Sequence, residues 1–410
     1  MKLAKEKMGE VWGIMRLWVL IAAILSAWCR AGVTEEEPLW RSSLQFHGFL
    51  SQGFVYTSNN RWYGDSEKGS PDFTEMGLNL SFRPFGPLRL AAQGVFRRSG
   101  QINPNEVRLD YALADYTFFS ANQGRIGIML GRVKNPLGLY NETRDVAFTR
   151  PTIFLPQSIY FDRTRNLGLA NDGFQLYGEY STKWGDWFFR AGAGLPNGTK
   201  DKEFERLVLG KNWNGEIEPE LSAIGRLMYE YQGGMVRLAV TGTMVNTHFK
   251  PGKGTPFEDG KIRFNPVIFS AQYNGEKLTL TGEYALRFAK FKNFGPFFPD
   301  TSTTGESYYL QASYRILPQV ELVGRYDVFF ADRDDTSGRK FAERSGRPRY
   351  SRFAYDWTAG IRWDITSWWM VRAEYHNVDG VGWLAASENG NYSDTKKNWH
   401  MFALLTAFRF

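Results

Sequence analysis

The stretch His400–Phe410 reads HMFALLTAFRF, and large apolar side chains occupy every second position in it. One set of alternate residues comprises Phe402, Leu404, Thr406, Phe408 and Phe410, and the other comprises Met401, Ala403, Leu405, Ala407 and Arg409. Successive side chains of a β-strand point to opposite faces. The stretch therefore predicts a strand with one consistently bulky, apolar face.

The same alternation recurs upstream with a sharper contrast between the two faces. In Tyr355–Asp364, YDWTAGIRWD, aromatic and aliphatic residues alternate with Asp, Thr, Gly and Arg. Similar patterns occupy Trp368–His376, Val320–Phe330 and Leu278–Phe288. A strand of about 10 residues crosses a bilayer at a tilt. These segments predict an all-β protein, a transmembrane antiparallel β-barrel with an apolar outer surface and a polar interior.

A soluble β-sandwich also alternates, so it is the main alternative. Two observations favour the barrel. Trp, Tyr and Phe lie at the strand ends, as in the aromatic belts at membrane interfaces. Arg and acidic residues share the polar face in strand after strand, which supplies more charge than a sheet needs to meet water. The composition agrees, because 32 Phe, 20 Tyr and 14 Trp accompany a mean hydropathy of only −0.40.

The N-terminal segment has the pattern of a secretory signal peptide. Basic residues precede the apolar run 17–27, and small residues follow it. We expect a signal peptide over 1–31, with cleavage after Ala31 or Ala27, and a single barrel over 32–410. A membrane anchor is the alternative, but about 11 apolar residues are too few to span a bilayer. Lipid attachment at Cys29, the single cysteine, is a second alternative, which Trp28 disfavours.

Sixteen strands are predicted, an even number that places both chain ends on the periplasmic side. Their ranges are 44–57, 73–82, 88–98, 105–118, 125–133, 172–181, 186–194, 219–231, 235–246, 264–273, 278–289, 305–316, 320–331, 351–364, 368–378 and 399–410. Short turns alternate with mostly longer, charged loops. Asp115 falls on the lipid-facing side in this register, so its strand should end early or contain a bulge.

The third long loop, Lys134–Asn171, is the longest connection. It mixes charged residues with apolar ones, namely Phe148, Ile153, Phe154, Leu155, Ile159 and Phe161. A fully solvated loop has no use for so many apolar side chains. We therefore expect this loop to fold into the barrel and to pack on its wall; long loops in compact structures are usually functional.

The alternating strands, the loop opening Gly131–Gly138 (GRVKNPLG) and the terminal Phe410 resemble the sixteen-stranded bacterial porins. Tyr314–Asp327 (YRILPQVELVGRYD) is similar to strand–turn–strand units of the phosphate-selective porin O and P family. The resemblance implies the outer membrane of a Gram-negative bacterium, contact with lipid and lipopolysaccharide, a homotrimer, and a third loop that narrows the pore. Phe410 with Phe408 resembles the signal that such barrels present to the barrel assembly machinery.

The inward-facing charges of the predicted wall are balanced. The basic ones are Arg89, Arg97, Arg108, Arg190, Arg226, Arg237, Arg287, Arg315, Arg325, Arg362 and Arg372. The acidic ones are Glu75, Glu106, Asp110, Glu179, Glu230, Glu283, Glu321, Asp327, Asp356, Asp364 and Glu374. This balance differs from the basic lumen expected of a phosphate channel. A ladder of Arg–carboxylate pairs would also stiffen the wall.

The loop adds a net positive charge to this balanced set. Its basic residues Lys134, Arg144, Arg150, Arg163 and Arg165 outnumber its acidic residues Glu142, Asp145 and Asp162. Since charges in a pore set its selectivity, we expect a weak anion preference. The alternative is that the loop arginines simply pair with Asp145 and Asp162. Tyr160, together with Tyr140 and Phe154, could form a sugar-binding surface or anchor the loop.

No enzyme motif accompanies these patterns. The four histidines lack metal-ligand spacing, and neither a Gly-x-Ser-x-Gly elbow nor a phosphate loop occurs. A formal net charge of +7 is too small to indicate nucleic-acid binding. We expect a porin for passive diffusion of small hydrophilic solutes or ions, without cofactor or metal. The alternatives are a channel specific for phosphate, a sugar or an organic acid, with a binding site at the constriction loop, and a surface adhesin or receptor.

Overall fold

The computed structural model describes residues 43–199, 202–209 and 214–410. The predicted signal peptide, 1–31, lies outside the described residues. The strands are β1 (Leu44–Thr57), β2 (Ser70–Phe85), β3 (Leu88–Ser99), β4 (Asn103–Ala121), β5 (Gly124–Lys134), β6 (Ala170–Thr182), β7 (Gly185–Pro196), β8 (Gly215–Pro219), β9 (Ser222–Tyr231), β10 (Val236–Pro251), β11 (Gly260–Asn274), β12 (Leu278–Lys292), β13 (Thr301–Leu317), β14 (Val320–Phe330), β15 (Phe353–Asp364), β16 (Trp369–Gly380) and β17 (Asn398–Arg409).

Four short α-helices lie in the connections: α1 (Arg165–Leu169), α2 (Lys202–Leu209), α3 (Arg339–Ser345) and α4 (Ala386–Asn389). None of the helices in the described part of the chain is long and apolar enough to cross a membrane.

The strands form one closed antiparallel sheet. Successive strands pair with one another except at β8, which pairs with β10 while β7 pairs with β9, and β17 closes the sheet on β1, where Phe49 lies opposite Arg409. The amide of Phe410 donates to the carbonyl of Gly48 at 3.0 Å, and the reverse bond is 3.2 Å. Closure of β17 on β1 joins the two ends of the sheet, and a closed sheet is the form that can exist in lipid.

The barrel has sixteen strand positions around its circumference, as predicted. The strands β8 and β9 both pair with β10, on successive parts of its length, and together fill one of these positions. The predicted strand 219–231 is therefore split at residues 220–221. Several strands also run further than predicted; β10 ends at Pro251 rather than at residue 246, because its pairing with β8 and β11 continues there.

The outer surface carries the apolar face of each strand. Trp357, Trp363 and Leu310 are more than half exposed, while Asp356 and Thr358, which alternate with Trp357, are buried. So many exposed large apolar side chains would be an aggregation hazard in water. On a closed barrel they form the belt and aromatic girdles that contact lipid.

A β-bulge in β4 corrects the predicted register of Asp115. Gln93 of β3 lies opposite Tyr111 and Gly94 lies opposite Leu109, so Asp110 is the extra residue. A one-residue slip moves every following side chain to the other face. Asp115 thereby shares a face with Arg89, and their side chains form an ion pair at 3.0 Å. The bulge, rather than an early strand end, is therefore the explanation, since β4 continues to Ala121.

Connections at one end of the barrel are turns of two to four residues, such as 86–87 and 318–319. The opposite end carries loops 58–69, 135–169, 197–214, 252–259, 293–300, 331–352 and 381–397, together with one short link, 100–102. The predicted alternation of short and long connections is confirmed apart from that link. The loop between β5 and β6, hereafter loop 135–169, is the longest.

Candidate functional site

Loop 135–169 makes side-chain contacts with strands that are far apart around the barrel. Asp162 forms an ion pair with Arg97 of β3 at 3.0 Å. Tyr160 donates its hydroxyl hydrogen to Glu283 of β12 at 2.7 Å. Eight strands separate β3 from β12 along the chain, so the loop is tied to widely separated parts of the wall.

Apolar side chains of the loop are buried against the wall and the neighbouring loops. Phe154 stacks on Phe73 of β2 at a centroid distance of 5.3 Å and meets Trp62 edge-on at 5.9 Å. Phe148 and Ile153 belong to the same apolar cluster. This cluster includes alternate residues of β17, namely Trp399, Met401, Ala403, Leu405 and Ala407. Of the six apolar residues that the sequence singled out, five are buried and Phe161 is partly buried.

Wall arginines donate to the free backbone carbonyl groups of the loop. Arg325 donates to the carbonyl of Phe154 at 2.9 Å. Arg372 donates to the carbonyl of Arg150 at 2.5 Å, and Arg287 to that of Ser158 at 2.7 Å. A loop without regular secondary structure cannot satisfy its own buried carbonyl groups. These arginines supply the missing donors.

On the β2–β5 side, the loop and wall form a group of ion pairs that we call the paired cluster. It comprises Glu75, Arg97, Arg108, Asp110, Lys134, Arg144, Asp145, Arg150, Asp162 and Arg165. Glu75 contacts Arg97 at 3.1 Å and Arg150 at 2.8 Å. All of these side chains except Arg108 are less than a tenth exposed.

The pKa values of the two loop aspartates follow from this arrangement. Burial alone would raise the pKa of Asp162, but the guanidinium groups of Arg97, Arg144 and Arg165 outweigh burial and hold that pKa well below its ordinary value. The pKa of Asp145 is lowered in the same way, because Arg165 and Lys134 outweigh the effect of burial. Both aspartates are therefore ionised at neutral pH, and both balance neighbouring cations.

A second ionic contact lies on the β7–β9 side. Glu142 of the loop forms ion pairs with Arg190 and, at 2.8 Å, with Arg226. Arg226 also donates to the carbonyl of Gly138 at 3.1 Å. These groups are more exposed than the paired cluster, since the side chain of Glu142 is 27% accessible.

The structure brings together most of the charged residues that the sequence singled out. Eight of the eleven wall arginines contact the loop: Arg97, Arg108, Arg190, Arg226, Arg287, Arg325, Arg362 and Arg372. Arg89 and Arg237 pair instead with Asp115 and Glu230. Arg315 is exposed. Of the loop arginines, Arg144 and Arg165 pair with Asp145 or Asp162, as the alternative predicts, whereas Arg150 pairs with Glu75 of β2.

Arg163 differs from the other loop cations. Within the described residues it has no ion-pair partner, and its one hydrogen bond, to the carbonyl of Leu384, is 3.5 Å long. It lines a cavity of about 230 Å³ at the long-loop end of the barrel. Arg263, Arg287 and Arg352 also line this cavity, which we call the arginine pocket. No Asp or Glu lies among the described residues that line it.

A smaller cavity of about 70 Å³ adjoins the arginine pocket between loop 135–169 and strands β9–β12. The two share Phe161, Leu167 and Arg287 among their lining residues. Arg144 and Arg165 also line the smaller cavity, and again no carboxylate is found among its described lining residues.

Sequence reasoning missed Arg352. It precedes β15 in loop 331–352, where several other arginines occur in an irregular segment without periodicity. Nothing in that pattern distinguishes Arg352 from its neighbours. Within the described residues, no group of three or more His, Cys, Asp or Glu could hold a metal ion.

No family model matches the sequence, and no curated protein is significantly similar to it. Solved structures do match. The outer-membrane channel DcaP of Acinetobacter baumannii is 13% identical, with a TM-score of 0.56, over 90% of this chain and 97% of that one. The protein has the fold of the bacterial outer-membrane porins. This result confirms the predicted sixteen-stranded barrel and the structural resemblance on which it rested.

Two further porin structures show the same fold. The anion-selective porin from Comamonas acidovorans is 15% identical, with a TM-score of 0.56, and the match covers 90% of this chain and 99% of that chain. OmpF of Salmonella typhi, in complex with daunomycin, is 16% identical with a TM-score of 0.55, covering 91% and 99%. The porin fold is therefore retained here with little sequence identity.

Proposed function

We propose that this protein is a channel in the outer membrane of a Gram-negative bacterium. It admits small hydrophilic solutes or ions by passive diffusion, with a weak preference for anions. The observation that carries the proposal is the pair of adjoining cavities beside loop 135–169, lined by arginines and, within the described residues, by no carboxylate. Charged groups lining a pore set which ions enter it.

The same proposal places loop 135–169 inside the lumen as its constriction. Its support is the spread of the loop contacts, which reach Arg97 in β3, Glu283 in β12 and Glu374 in β16. Contacts with the polar faces of such widely spaced strands support a path of the loop across the interior. The open path then runs between the loop and strands β9–β12, where the two cavities lie.

Charge pairing explains why the anion preference should be weak. The paired cluster holds six cations and four carboxylates, so most of its charge is cancelled within the cluster and two positive charges are left over. Arg163, Arg287 and Arg352 lie beside the path and form no ion pair with a described residue. Clefts lined by one sign of charge raise the local concentration of counter-ions. The preference should therefore depend on few residues.

We further propose a homotrimer embedded in outer-membrane lipid and lipopolysaccharide. One of the similar structures, OmpT of Vibrio cholerae, was solved in a trimer form. We also propose that Phe410 and Phe408 are recognised by the barrel assembly machinery. The ring centre of Phe410 lies 5.9 Å from that of Phe46 of β1, beside the seam between β17 and β1. The ring of Phe408 stacks on that of Trp369 of β16 at a centroid distance of 5.8 Å.

The test is conductance of the purified protein in a planar lipid bilayer under a KCl gradient. We expect stable, ohmic steps and a reversal potential that indicates weak chloride preference. A cation-selective reversal potential would overturn the anion preference. A complete lack of conductance, for protein shown to be folded by heat-modifiable gel mobility, would overturn the channel itself.

A further inference from the structure

The arginine pocket has both a cationic and an apolar surface. A water-filled vestibule does not require the apolar one. Four arginines line it, of which Arg263 is exposed and the other three, Arg163, Arg287 and Arg352, are buried or partly buried, and apolar side chains supply much of the remaining wall. Among the apolar residues are Phe161 and Phe329, and the guanidinium carbon of Arg287 lies 5.1 Å and 4.8 Å from their ring centres. The cationic and apolar parts of the pocket are therefore in direct contact.

The arginines of the pocket are held in place by neutral partners. Arg287 donates to the backbone carbonyl groups of Ser158 and Phe330, at 2.7 Å and 3.0 Å. Arg352 lies over the ring of Phe341 at 4.6 Å. Neither arginine forms an ion pair with a described residue. Their orientation is fixed without neutralising their charge.

Arg163 is the most unusual of the three. Its side chain is only 8% exposed, and its Nε atom is buried without a hydrogen-bond partner among the described residues. Burial lowers the pKa of Arg352 and the nearby charge of Arg163 lowers it further, while Asp332 acts in the opposite direction. A buried arginine with unused donors, next to another cation, is costly unless an anion is bound.

We propose that the arginine pocket binds a small organic anion in which a single carboxylate is joined to an apolar body about the size of one ring. The inference rests on the proposed channel function and names the class of solute for which the channel is specialised. The carboxylate would contact Arg163 and Arg352, and the apolar body would lie against Phe161, Phe329 and Leu167.

The size of the pocket supports this class. An apolar cavity of about 150 Å³ accommodates benzene. The arginine pocket measures about 230 Å³, which leaves room for a carboxylate beside a ring. A guanidinium group offers a planar pair of donors that matches a carboxylate.

Two other anionic or polar solutes fit less well. Inorganic phosphate would satisfy the arginines but would leave the apolar wall without a partner. A sugar would find few hydrogen-bond acceptors, since no carboxylate lies among the described lining residues. The combined surface therefore favours a solute that has both a charge and an apolar part.

The experiment measures block of chloride conductance by three probes applied to the purified full-length protein. Benzoate has both features, acetate has only the carboxylate, and benzamide has only the ring. We expect saturable block by benzoate at a concentration at least about tenfold below that of acetate, because the ring buries apolar surface, and below that of benzamide, because the carboxylate adds a charge-assisted contact. Equal potency of benzoate and acetate, or of benzoate and benzamide, would overturn the inference.

Two variants locate the site. Arg352→Gln should weaken benzoate block by about tenfold, whereas the matched substitution Arg339→Gln, in the same loop but with an exposed side chain, should not. Ala289→Phe places a ring in the cavity from the wall of β12 and should weaken block without removing a charge. Unchanged benzoate block in both Arg352→Gln and Ala289→Phe would refute the proposed position.

Failure of the channel and failure of the site are distinguishable. Isothermal titration calorimetry with benzoate on the detergent-solubilised protein measures binding without any need for conductance. Binding without conductance would retain the site and refute the channel. Conductance without benzoate binding or block would retain the channel and refute the site.

Discussion

The paired cluster on the β2–β5 side of loop 135–169 and the arginine pocket on the opposite side use the same residue type for different purposes. In the paired cluster, Arg97 meets Glu75 and Asp162 at 3.1 Å and 3.0 Å, and all three side chains are nearly inaccessible. In the arginine pocket, Arg163 and Arg352 face a cavity without an ion-pair partner among the described residues. The two regions thus differ in whether their arginines are paired with carboxylates.

The difference has an energetic basis. A buried ion pair is weak evidence for net stability, but the loss of one partner leaves a buried charge uncompensated and is strongly destabilising. The paired cluster should therefore respond to substitution mainly through stability. The arginine pocket should respond mainly through conduction, because its arginines form no ion pair with the described residues.

The largest expected effect is that of Glu75→Gln in the paired cluster. It removes the carboxylate between Arg97 and Arg150 and should lower the free energy of unfolding by about 3–5 kcal/mol. Urea titration of the barrel in lipid vesicles measures this change.

The matched control is Glu218→Gln, which breaks an exposed pair with Lys250. It should cost less than about 1 kcal/mol. Equal effects of the two substitutions would show that the paired cluster has no special role in stability.

Tyr160→Phe, where the loop is attached to β12, should lower the free energy of unfolding by less than Glu75→Gln does. The hydroxyl group of Tyr160 donates to Glu283 at 2.7 Å and accepts from the amide of Leu139 at 2.8 Å. Removing it takes away the acceptor of the Tyr140 backbone amide, which donates to the same hydroxyl at 3.1 Å, and an unsatisfied buried donor costs about 1–3 kcal/mol. We also expect noisier single-channel current, because this end of the loop is freed.

Tyr309→Phe provides the comparison, because Tyr309 donates to the same Glu283 at 2.9 Å from the barrel wall. It should reduce stability without adding current noise. Added noise in Tyr309→Phe alone would contradict the assignment of Tyr160 as the loop attachment.

Acid should affect the paired cluster before it affects the arginine pocket. The folded-state pKa values of Asp145 and Asp162 lie below the unfolded value of about 3.9. Their contribution to stability is therefore present above that value and is lost as the pH falls through their folded-state pKa values. We expect the urea midpoint to change little on account of these aspartates between pH 7 and pH 5, and to fall below about pH 4.

Asp162→Asn should flatten this acid dependence while lowering stability at pH 7. An acid dependence identical to that of the unaltered protein would contradict a role for Asp162 in it.

The fold was predictable because its signal is local and repeated. Alternation in segments such as Tyr355–Asp364 depends only on side chains two residues apart, and it gave the correct face for Trp357 and Asp356. The bulge at Asp110 was indicated only indirectly, by the misplaced charge of Asp115. The split between β8 and β9 left no such sign.

The site was predictable only in part, because no local sequence pattern indicates which side chains pair across the barrel. The charges of loop 135–169 were visible in the sequence, and so was the possibility that they pair with Asp145 and Asp162. The partner Glu75 of Arg150 lies 75 positions earlier in the chain. Arg163 lies in the arginine pocket without an ion-pair partner among the described residues, and Arg352 reaches the same pocket from another loop. Both facts depend on contacts between segments that are far apart in the sequence.

The most direct test of the account is the reversal potential of the double variant Arg163→Gln/Arg352→Gln, compared with the unaltered protein and with Arg339→Gln. Two unit charges about 4 Å apart in water interact with about 1 kcal/mol. The chloride-to-potassium permeability ratio should therefore fall several-fold in the double variant. It should remain unchanged in Arg339→Gln. A double variant that keeps both the stability and the chloride preference of the unaltered protein would contradict the claim that unpaired arginines set the selectivity.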